Sequence, residues 1–253
     1  MDKISVITVV YNNASKIRKT IESCLSQTWS NIEYIVIDGG SKDGTVDIIK
    51  EYISDIAYFI SEPDNGLYDA LNKGILASTG DWILVLNSGD YFCKPESLEN
   101  AMSIDNIEQV DVIFGNSKRL ANGIETVFLA DSNVENLKFH PIYRHGSSLV
   151  RSIVHKQYLF RLDKSHQFEY GLDFDVIFRL YHDKKVFKKV DAYIQTFEIE
   201  GISNNPLKSI RINYRITSQY GFKWSNFKYY ISSYCRYYKR YLYLLLIHSK
   251  KQV

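Results

Sequence analysis

One local pattern recurs in this sequence: an apolar run stops at a polar turn, and a helical pattern follows. The runs at residues 4–10, 32–37 and 84–86 are almost entirely apolar, and a polar turn comes directly after each of them. Apolar strands that alternate with helices are typical of a parallel sheet covered on both faces. The sequence therefore predicts an α/β fold.

The polar ends of these strands are the first candidate functional residues. Tyr11, Asp38 and Asp90 each follow an apolar strand. Because the carboxyl ends of parallel strands meet at one edge of the sheet, we expect the three side chains at the edge where such folds bind ligands. A carboxylate such as Asp90 can hold a divalent cation against a diphosphate. The run Asn-Ser-Gly-Asp at 87–90 is also an ordinary turn, and its functional interpretation depends on the other two strand ends.

Four ordered motifs support a more specific interpretation. They are Val-Val-Tyr-Asn at 9–12, Ile-Asp-Gly-Gly-Ser-Lys-Asp-Gly-Thr at 37–45, Glu-Pro-Asp-Asn-Gly-Leu-Tyr-Asp-Ala-Leu-Asn-Lys-Gly at 62–74 and Leu-Asn-Ser-Gly-Asp at 86–90. With these motifs the sequence resembles family 2 glycosyltransferases of the GT-A fold, in particular the bacterial colanic acid and exopolysaccharide transferases. The resemblance covers residues 3–91 and resumes near Asp173 and residues 197–203.

The resemblance implies both a fold and an activity. The expected fold is a Rossmann-type, mixed but mainly parallel sheet flanked by helices, followed by a C-terminal amphipathic helical extension. The expected activity is an inverting transfer of a sugar from a nucleotide-diphosphate donor, with Mn²⁺ or Mg²⁺ as cofactor and a UDP-sugar as the default donor.

On the donor side the resemblance implies a nucleotide-binding set that consists of Thr8, Val10, Tyr11, Asp38 and Ser88. Tyr11 would lie against the base, residues 8–10 would supply backbone contacts, and Asp38 would accept hydrogen bonds from the base or the ribose.

The sequence departs from the family pattern at two places. Many relatives carry two acids where this chain has Ser88 before Asp90, so a single carboxylate is left to hold the metal with diphosphate oxygens and water. Many relatives also carry Arg where this chain has Leu71. Asp69 and Asn72 lie one helical turn apart and are our substitutes for that contact, although both could equally be polar residues on a helix surface.

An inverting transfer needs a base, and the resemblance places it at Asp173, at the start of a predicted helix, with Asp175 as the alternative. The charged form of a carboxylate is stabilised at a helix N-terminus. Without the resemblance, Asp173 would be interpreted as a helix cap.

The middle of the chain is less informative. Residues 110–114 and 124–129 are predicted strands that could pair. A polar, basic loop at 140–148 contains His145, which could contact the diphosphate, the metal or the acceptor. A lone loop histidine is also often a packing residue. The other histidines show no metal-ligand spacing.

Composition sets the outer bounds. With 253 residues and 45% hydrophobic content, the chain can form one compact unit. We predict a catalytic domain at 1–203, with a nucleotide-sugar half at 1–92 and an acceptor half at 93–203, and a basic, Tyr-rich helical tail at 204–253. Three widely spaced cysteines favour a reducing cytoplasm over a disulfide framework. We expect neither a signal peptide nor a membrane-spanning helix.

The tail is strongly basic. From residue 201 onward there are ten basic residues and no acidic one. A helix over residues 225–247 places most aromatic residues on one side and most basic residues on the other, as in helices that lie on anionic membranes. The aromatic side comprises Phe227, Tyr230, Ile231, Tyr234, Tyr238, Tyr241, Leu242 and Leu245. The alternative is that this side packs on the catalytic domain or on a second subunit, so an oligomer stays open.

These observations favour a peripheral enzyme at the inner face of a bacterial membrane that transfers a sugar to a lipid-linked glycan in surface polysaccharide synthesis. Nucleic acid is disfavoured as a partner, because base stacking requires aromatic and basic residues on one surface. A nucleotidyltransferase would need a Gly-rich phosphate loop after the first strand, and residues 9–13 provide none. A non-catalytic scaffold of the same fold remains the alternative.

Overall fold

The computed structural model describes residues 1–198, 205–221 and 223–250, with side chains described as far as residue 239. The strands in these ranges are β1 (Ile4–Val10), β2 (Ile32–Asp38), β3 (Tyr58–Ser61), β4 (Trp82–Val85), β5 (Tyr91–Phe92), β6 (Val112–Ala121), β7 (Ile124–Phe128), β8 (Ser148–Arg151) and β9 (Phe187–Glu198). The helices are α1 (Ala14–Leu25), α2 (Thr45–Lys50), α3 (Leu67–Ala77), α4 (Ser97–Met102), α5 (Ser152–His155), α6 (Ser165–Phe168), α7 (Leu172–His182), α8 (Pro206–Ser218) and α9 (Trp224–Lys250).

All the strands belong to one mixed sheet with the order β3-β2-β1-β4-β8-β6-β9-β5, and β7 pairs with β6 beside that path. β1, β2, β3 and β4 run parallel to their neighbours. Beyond β4 the sheet becomes mixed, because β8 is antiparallel to both β4 and β6, whereas β9 is parallel to β6. The predicted α/β class with a mixed, mainly parallel sheet flanked by helices is confirmed, as is the pairing of residues 124–128 with the preceding strand.

The parallel half of the sheet brings the polar strand ends to one edge. Val10 at the end of β1 is paired with Asp38 at the end of β2, so Tyr11 and Asp38 lie on neighbouring strand ends. On the other side of β1, Ile7 pairs with Val85, and the chain then enters the turn that ends at Asp90. The shared edge predicted from the apolar runs is therefore present.

Helices cover both faces of the parallel strands. Every residue of β1 is buried, because its alternate side chains enter two different apolar clusters. On one face Ile17 and Ile21 of α1 pack with Ile4 of β1. On the other face α3 approaches β1 so closely that a Cβ on Gly74 would lie 2.4 Å from Cγ2 of Ile7. This contact accounts for a glycine inside a helix, where glycine normally costs about 1 kcal/mol relative to alanine.

The tail is helical, as predicted, and it is attached to the body of the molecule. Ile212 of α8 is buried against Gly171, the residue before α7, and a Cβ on that glycine would lie 2.3 Å from Cγ2 of Ile212. The Tyr230 hydroxyl of α9 donates to the carbonyl of Phe139, and the Tyr229 ring stacks on the Phe139 ring at 4.5 Å. The aromatic side predicted as one surface is therefore divided between packing and exposure.

Part of the predicted apolar side is exposed on α9, and its members Tyr241, Leu242 and Leu245 lie outside the described side chains. Trp224, Phe227, Ile231 and Tyr238 are 67%, 37%, 49% and 52% exposed. No helix among the described residues is long and apolar enough to span a membrane.

Candidate active site

The turn after β4 places Asp90 at the sheet edge and is held in place by α1. The Thr20 hydroxyl donates to the Asp90 carbonyl at 2.8 Å and accepts a hydrogen bond from the Gly89 amide at 3.0 Å. Asn13 donates to the Ser88 hydroxyl at 2.9 Å. Gly89 has a φ of +100°, which a glycine adopts without strain and which directs the chain back toward β5. The Asp90 carboxylate is thus fixed by its backbone.

The side chain of Asp90 is half-buried and lies against β9. Gln195 of β9 donates from its amide nitrogen to one Asp90 oxygen. Burial raises the pKa of Asp90 to about 7, although the positive charge of Arg144 opposes that shift. A carboxylate that is this poorly solvated gains from a bound cation, since the cation replaces the missing water.

Asp173, the second residue of α7, lies in the same region. Its side chain is partly exposed and makes no hydrogen bond or ion pair with any residue that the structure describes. Burial raises the pKa of Asp173 to about 6, and Arg144 again opposes the shift. The Asp173 charge also contributes to raising the pKa of Asp90, which places the two carboxylates within electrostatic reach of each other.

Arg144 lies at the centre of this arrangement and was not among the residues predicted for the site. Its guanidinium carbon is 3.7 Å from the centre of the Phe197 ring, and its charge acts on both Asp90 and Asp173. The one sequence signal was its place in the basic loop beside His145. The position of Phe197 depends on the long-range pairing of β9 with β6, which local sequence patterns do not reveal.

At the end of the same sheet edge that lies away from Asp90, the side chain of Tyr11 provides an exposed aromatic surface. The Tyr11 side chain is 65% exposed. A Cβ on the neighbouring Gly39 would lie 2.6 Å from an Asp64 carboxylate oxygen and 3.3 Å from a carbon of the Tyr11 ring. Tyr11 and Asp64 therefore both lie against the backbone of Gly39, where a larger residue would meet the Asp64 carboxylate. Asp64 is a further site candidate that the sequence reasoning did not select, although it lies inside the third motif.

Asp38 lies at the predicted strand end, but its carboxylate is turned into the protein. It is completely buried and accepts hydrogen bonds from the Gly40 and Ser41 amides at 3.1 and 2.9 Å and from the Ser61 hydroxyl at 2.6 Å. The Ser41 hydroxyl is a fourth donor. In this structure Asp38 shapes the loop between β2 and α2, and its contact with a base or ribose stays a prediction.

Two further residues predicted to bind the nucleotide sugar, Thr8 and Val10, belong to β1 and offer only backbone groups to this edge of the sheet. The Thr8 side chain is completely buried, and its hydroxyl donates to the Leu86 carbonyl at 2.9 Å. The Val10 carbonyl accepts the Gly39 amide at 2.9 Å. Ser88 lies in the turn before Asp90, where its hydroxyl accepts from Asn13. These residues brace the edge on which Tyr11 and Asp90 are presented.

Asp69 and Asn72, the substitutes for the missing arginine, lie on α3 outside the carboxylate pair. The Asp69 carboxylate accepts the Asn65 amide at 3.0 Å. The Asn72 side chain exchanges two hydrogen bonds with the backbone of Phe160, each of 2.9 Å. Both side chains hold α3 to its surroundings, and neither has a contact with Asp90 or Asp173.

His145 is adjacent to Arg144 but points into the core. Its ring meets those of His155 and Phe160 edge-on or tilted at 5.5 Å, and only 8% of the residue is exposed. Burial lowers the pKa of His145 to about 4, so the ring is neutral at pH 7. The structure thus brings Asp90, Asp173 and Arg144 together, whereas the His145 imidazole is buried in the core and does not belong to this group.

Asp175, the alternative base, is the anchor of α7. Its side chain is completely buried and forms ion pairs with Arg161 and Arg179, whose Nε atoms lie 2.9 and 3.1 Å from the carboxylate. Both oxygens are occupied, so Asp175 has none left for a substrate in this structure. The ion pairs instead fix the helix that carries Asp173.

Replacing Asp175 by Asn should therefore destabilise the protein without touching the cleft. Breaking a buried ion pair costs about 3 kcal/mol, because the partner charges stay behind. In a chain of this size we expect the melting temperature of Asp175→Asn to fall by roughly 6–12 °C. Asp163→Asn is the matched control, since the Asp163 side chain is 70% exposed. An equal melting temperature for both variants, measured by calorimetry, would contradict this role.

The protein oxygens at this site fit a divalent cation only if a bound substrate supplies further oxygen ligands. The described residues contain no group of three or more acidic, histidine or cysteine side chains that could hold a metal. Asp90 supplies a carboxylate, which also accepts from Gln195 and from the Glu198 backbone amide, and the buried Asn87 side-chain oxygen in the same turn has no partner among the described residues. Carboxylate and carbonyl oxygens suit Mg²⁺ and Mn²⁺, which bind through one or two protein oxygens plus phosphates and water.

Comparison with known proteins agrees with this geometry. Residues 5–145, more than half of the chain, match the family model described as "Glycosyl transferase family 2". The chain therefore belongs to glycosyl transferase family 2.

Curated relatives match part of the chain. An uncharacterized glycosyltransferase of Mycobacterium tuberculosis is 40% identical over 100 residues, which are 39% of this chain and 38% of the relative. A PGL/p-HBAD biosynthesis glycosyltransferase of Mycobacterium bovis is 30% identical over 44% of this chain and 45% of its own. The chain thus spans well under half of the length of these relatives.

Solved structures extend the likeness over most of the fold. The S. aureus protein TarS in complex with UDP has a TM-score of 0.64 and 18% identity, covering 86% of this chain and 64% of TarS 1–349. A mannosyltransferase from Pyrobaculum calidifontis in complex with GDP-Man and Mn²⁺ has a TM-score of 0.65 and 14% identity, covering 92% of this chain and 68% of that one. At these identities the likeness shows the fold, which is that of GT-A glycosyltransferases.

Proposed function

We propose that this protein is an inverting glycosyltransferase that takes a sugar from a nucleotide-diphosphate donor. The observation that carries the proposal is the pair of partly exposed carboxylates, Asp90 and Asp173, both within electrostatic reach of the Arg144 guanidinium. Family membership and the two neighbours that bind UDP or GDP-Man support it.

Asp173 is the proposed base. A pKa of about 6 leaves its carboxylate mainly ionised at pH 7 and still more basic than an ordinary aspartate. Its lack of a hydrogen-bonded partner among the described residues leaves it able to accept the proton of an acceptor hydroxyl. The hydroxyl oxygen then attacks the anomeric carbon on the side opposite to the diphosphate, which inverts the configuration at that carbon.

Asp90 is the proposed metal-binding residue, with Mn²⁺ or Mg²⁺ as the cation. When bound, the cation would neutralise charge on the diphosphate. Gln195 orients the Asp90 carboxylate from behind, as the residues that support metal ligands commonly do. Tyr11 and Asp64 would accept the nucleotide base at the other end of the edge, with UDP as the expected nucleotide.

The proposal is tested by thermal unfolding with UDP, GDP, CMP and dTDP, each with Mn²⁺ or with EDTA. A ligand at about 100 times its dissociation constant stabilises the folded state by roughly 2.7 kcal/mol. We expect one nucleotide to raise the melting temperature in Mn²⁺, and less in EDTA. The absence of a shift with all four nucleotides would contradict the proposal and favour a non-catalytic scaffold.

The acceptor side is proposed to face an anionic membrane, with a lipid-linked glycan as the acceptor. The exposed apolar residues of α9 occupy one strip of its outer surface, and Lys228 and Lys239 lie beside that strip. The described part of the tail contains only basic charged residues. Because α8 packs against Gly171, directly before α7, this surface is structurally connected to the helix that carries Asp173. A peripheral position at the inner face of the cell membrane follows.

This surface predicts binding to vesicles that contain phosphatidylglycerol and little binding to neutral phosphatidylcholine vesicles. Each basic residue near an anionic surface contributes about 1 kcal/mol, so Lys228→Gln should lower the vesicle partition coefficient about fivefold. Ile231→Ser should lower it further, and Ile153→Ser, a residue 70% exposed elsewhere, should not change it. Flotation measures the bound fraction.

Equal flotation of wild type and Ile231→Ser would contradict a membrane surface on α9. Self-association of the wild type that Ile231→Ser abolishes, without any vesicle binding, would assign the surface to a second copy of the chain.

A further inference from the structure

Among the described residues, Arg144 is the one cation whose charge affects the pKa of both Asp90 and Asp173. The ring of Phe197, which lies under its guanidinium, fixes its position. Arg144 begins the loop that leads into β8, and its guanidinium lies on the Phe197 ring with 3.7 Å between the guanidinium carbon and the ring centre. Phe197 is itself only 7% exposed and belongs to β9. Stacking of this kind holds the planar group by its face and leaves the N–H donors at its edge available.

Those N–H donors have no partner in the described part of the chain. Among the residues that the structure describes, no carboxylate lies within ion-pair distance of the Arg144 guanidinium and no side chain accepts from it. The side chain is exposed to solvent, yet the surrounding protein lowers its pKa, and Asp90 and Asp173 oppose that effect. A guanidinium that is partly desolvated, immobilised and without a partner is prepared to bind an anion.

We propose that Arg144 binds the diphosphate of the donor and stabilises the charge that this group gains as it leaves. This inference rests on the proposed function. The structure favours the diphosphate over an anionic acceptor because Arg144 lies within electrostatic reach of Asp90, the proposed metal residue, and the diphosphate is the part of the donor that a cation at Asp90 would attract.

The charge balance of the reaction gives Arg144 its role. The bond between the anomeric carbon and the β-phosphate oxygen breaks, and its electron pair stays on that oxygen. The acceptor oxygen bonds to the anomeric carbon and its proton passes to Asp173. The diphosphate therefore gains one negative charge in the step. A fixed cation at Arg144 supplies a positive charge at the leaving group, in addition to that of a cation held by the Asp90 carboxylate.

The test compares the binding of UDP and UMP to the whole protein by titration calorimetry in EDTA, so that no metal contributes. A bidentate bond from a guanidinium to a phosphate should favour UDP by about 10-fold or more. Arg144→Gln should remove that preference and leave UMP affinity unchanged. Arg144→Lys should restore part of it, since lysine keeps the charge but not the planar fork. Arg211→Gln, an exposed arginine of α8, is the matched control.

The outcomes separate the two proposals. If Arg144→Gln retains the wild-type ratio of UDP to UMP affinity, the inference about Arg144 is contradicted and the proposed function stands. If the wild type binds none of UDP, UMP, GDP, GMP, CMP and dTDP, either in EDTA or in Mn²⁺, both are contradicted. Circular dichroism of each variant checks that the fold is retained, and the lysine variant provides the answer if the glutamine variant does not fold.

Discussion

Replacing Asp173 by Asn is expected to abolish most sugar transfer while nucleotide binding stays as it is. The substitution keeps the size of the side chain and removes the group that accepts the acceptor proton. General base catalysis contributes about 10²–10⁴-fold, so kcat should fall by that factor. The Asp173 side chain makes no hydrogen bond or ion pair with another described residue, and the fold therefore loses little. Release of UDP from the UDP-sugar in the presence of acceptor measures the effect.

The pH profile separates base catalysis from a positioning role. Because burial raises the pKa of Asp173 to about 6, wild-type turnover should fall as the pH is lowered through 6, where the carboxylate becomes protonated. Asp173→Asn should lose that dependence. Asp183→Asn, at the other end of α7, should keep both the rate and the profile. An Asp173→Asn enzyme with more than a tenth of wild-type turnover would exclude Asp173 as the base.

Replacing Asp90 by Asn is expected to remove the effect of Mn²⁺ on nucleotide binding. The amide keeps one oxygen for the Gln195 donor but has no charge to attract the cation. The Mn²⁺-dependent part of the thermal shift with UDP should disappear, and turnover should fall by at least about 100-fold, as when a group that stabilises transition-state charge is lost.

The unliganded Asp90→Asn protein provides the control for folding. Burial raises the pKa of Asp90 to about 7, so its ionised form is disfavoured in the folded state. Above pH 7 the neutral amide should therefore melt at the same temperature as wild type or higher. A variant that still responds to Mn²⁺ as wild type does would show that the cation binds elsewhere.

The sequence predicts the parallel half of the fold correctly because each strand there is an apolar run that ends at a polar turn. β1 is apolar at five of its seven positions and buried at all seven, and β2 and β4 end at the predicted polar turns. Tyr11 and Asp90 consequently lie where the strand ends placed them. Asp38 shows the limit of this reasoning, since its carboxylate accepts hydrogen bonds from Ser41 and from Ser61 of the neighbouring strand β3. The contact with Ser61 depends on strand pairing, which the local sequence does not reveal.

The acceptor half depends on contacts that are distant in sequence. Phe197 supports Arg144 only because β9 runs parallel to β6 through an irregular register near Asn116. No periodic pattern in the sequence near residue 144 indicates that Phe197 is its neighbour in the fold. The tail is a similar case, because a helical wheel groups the tyrosines of α9 but does not say which of them meet Phe139. Tyr230 does, and Tyr238 remains on the outside.

The most direct test of the donor site is anomalous diffraction at the manganese edge from crystals grown with UDP and Mn²⁺. The account predicts one strong anomalous peak at about 2.1 Å from an Asp90 carboxylate oxygen, with diphosphate density between that peak and the Arg144 guanidinium. UDP density elsewhere on the molecule, or a manganese peak away from Asp90, would contradict it.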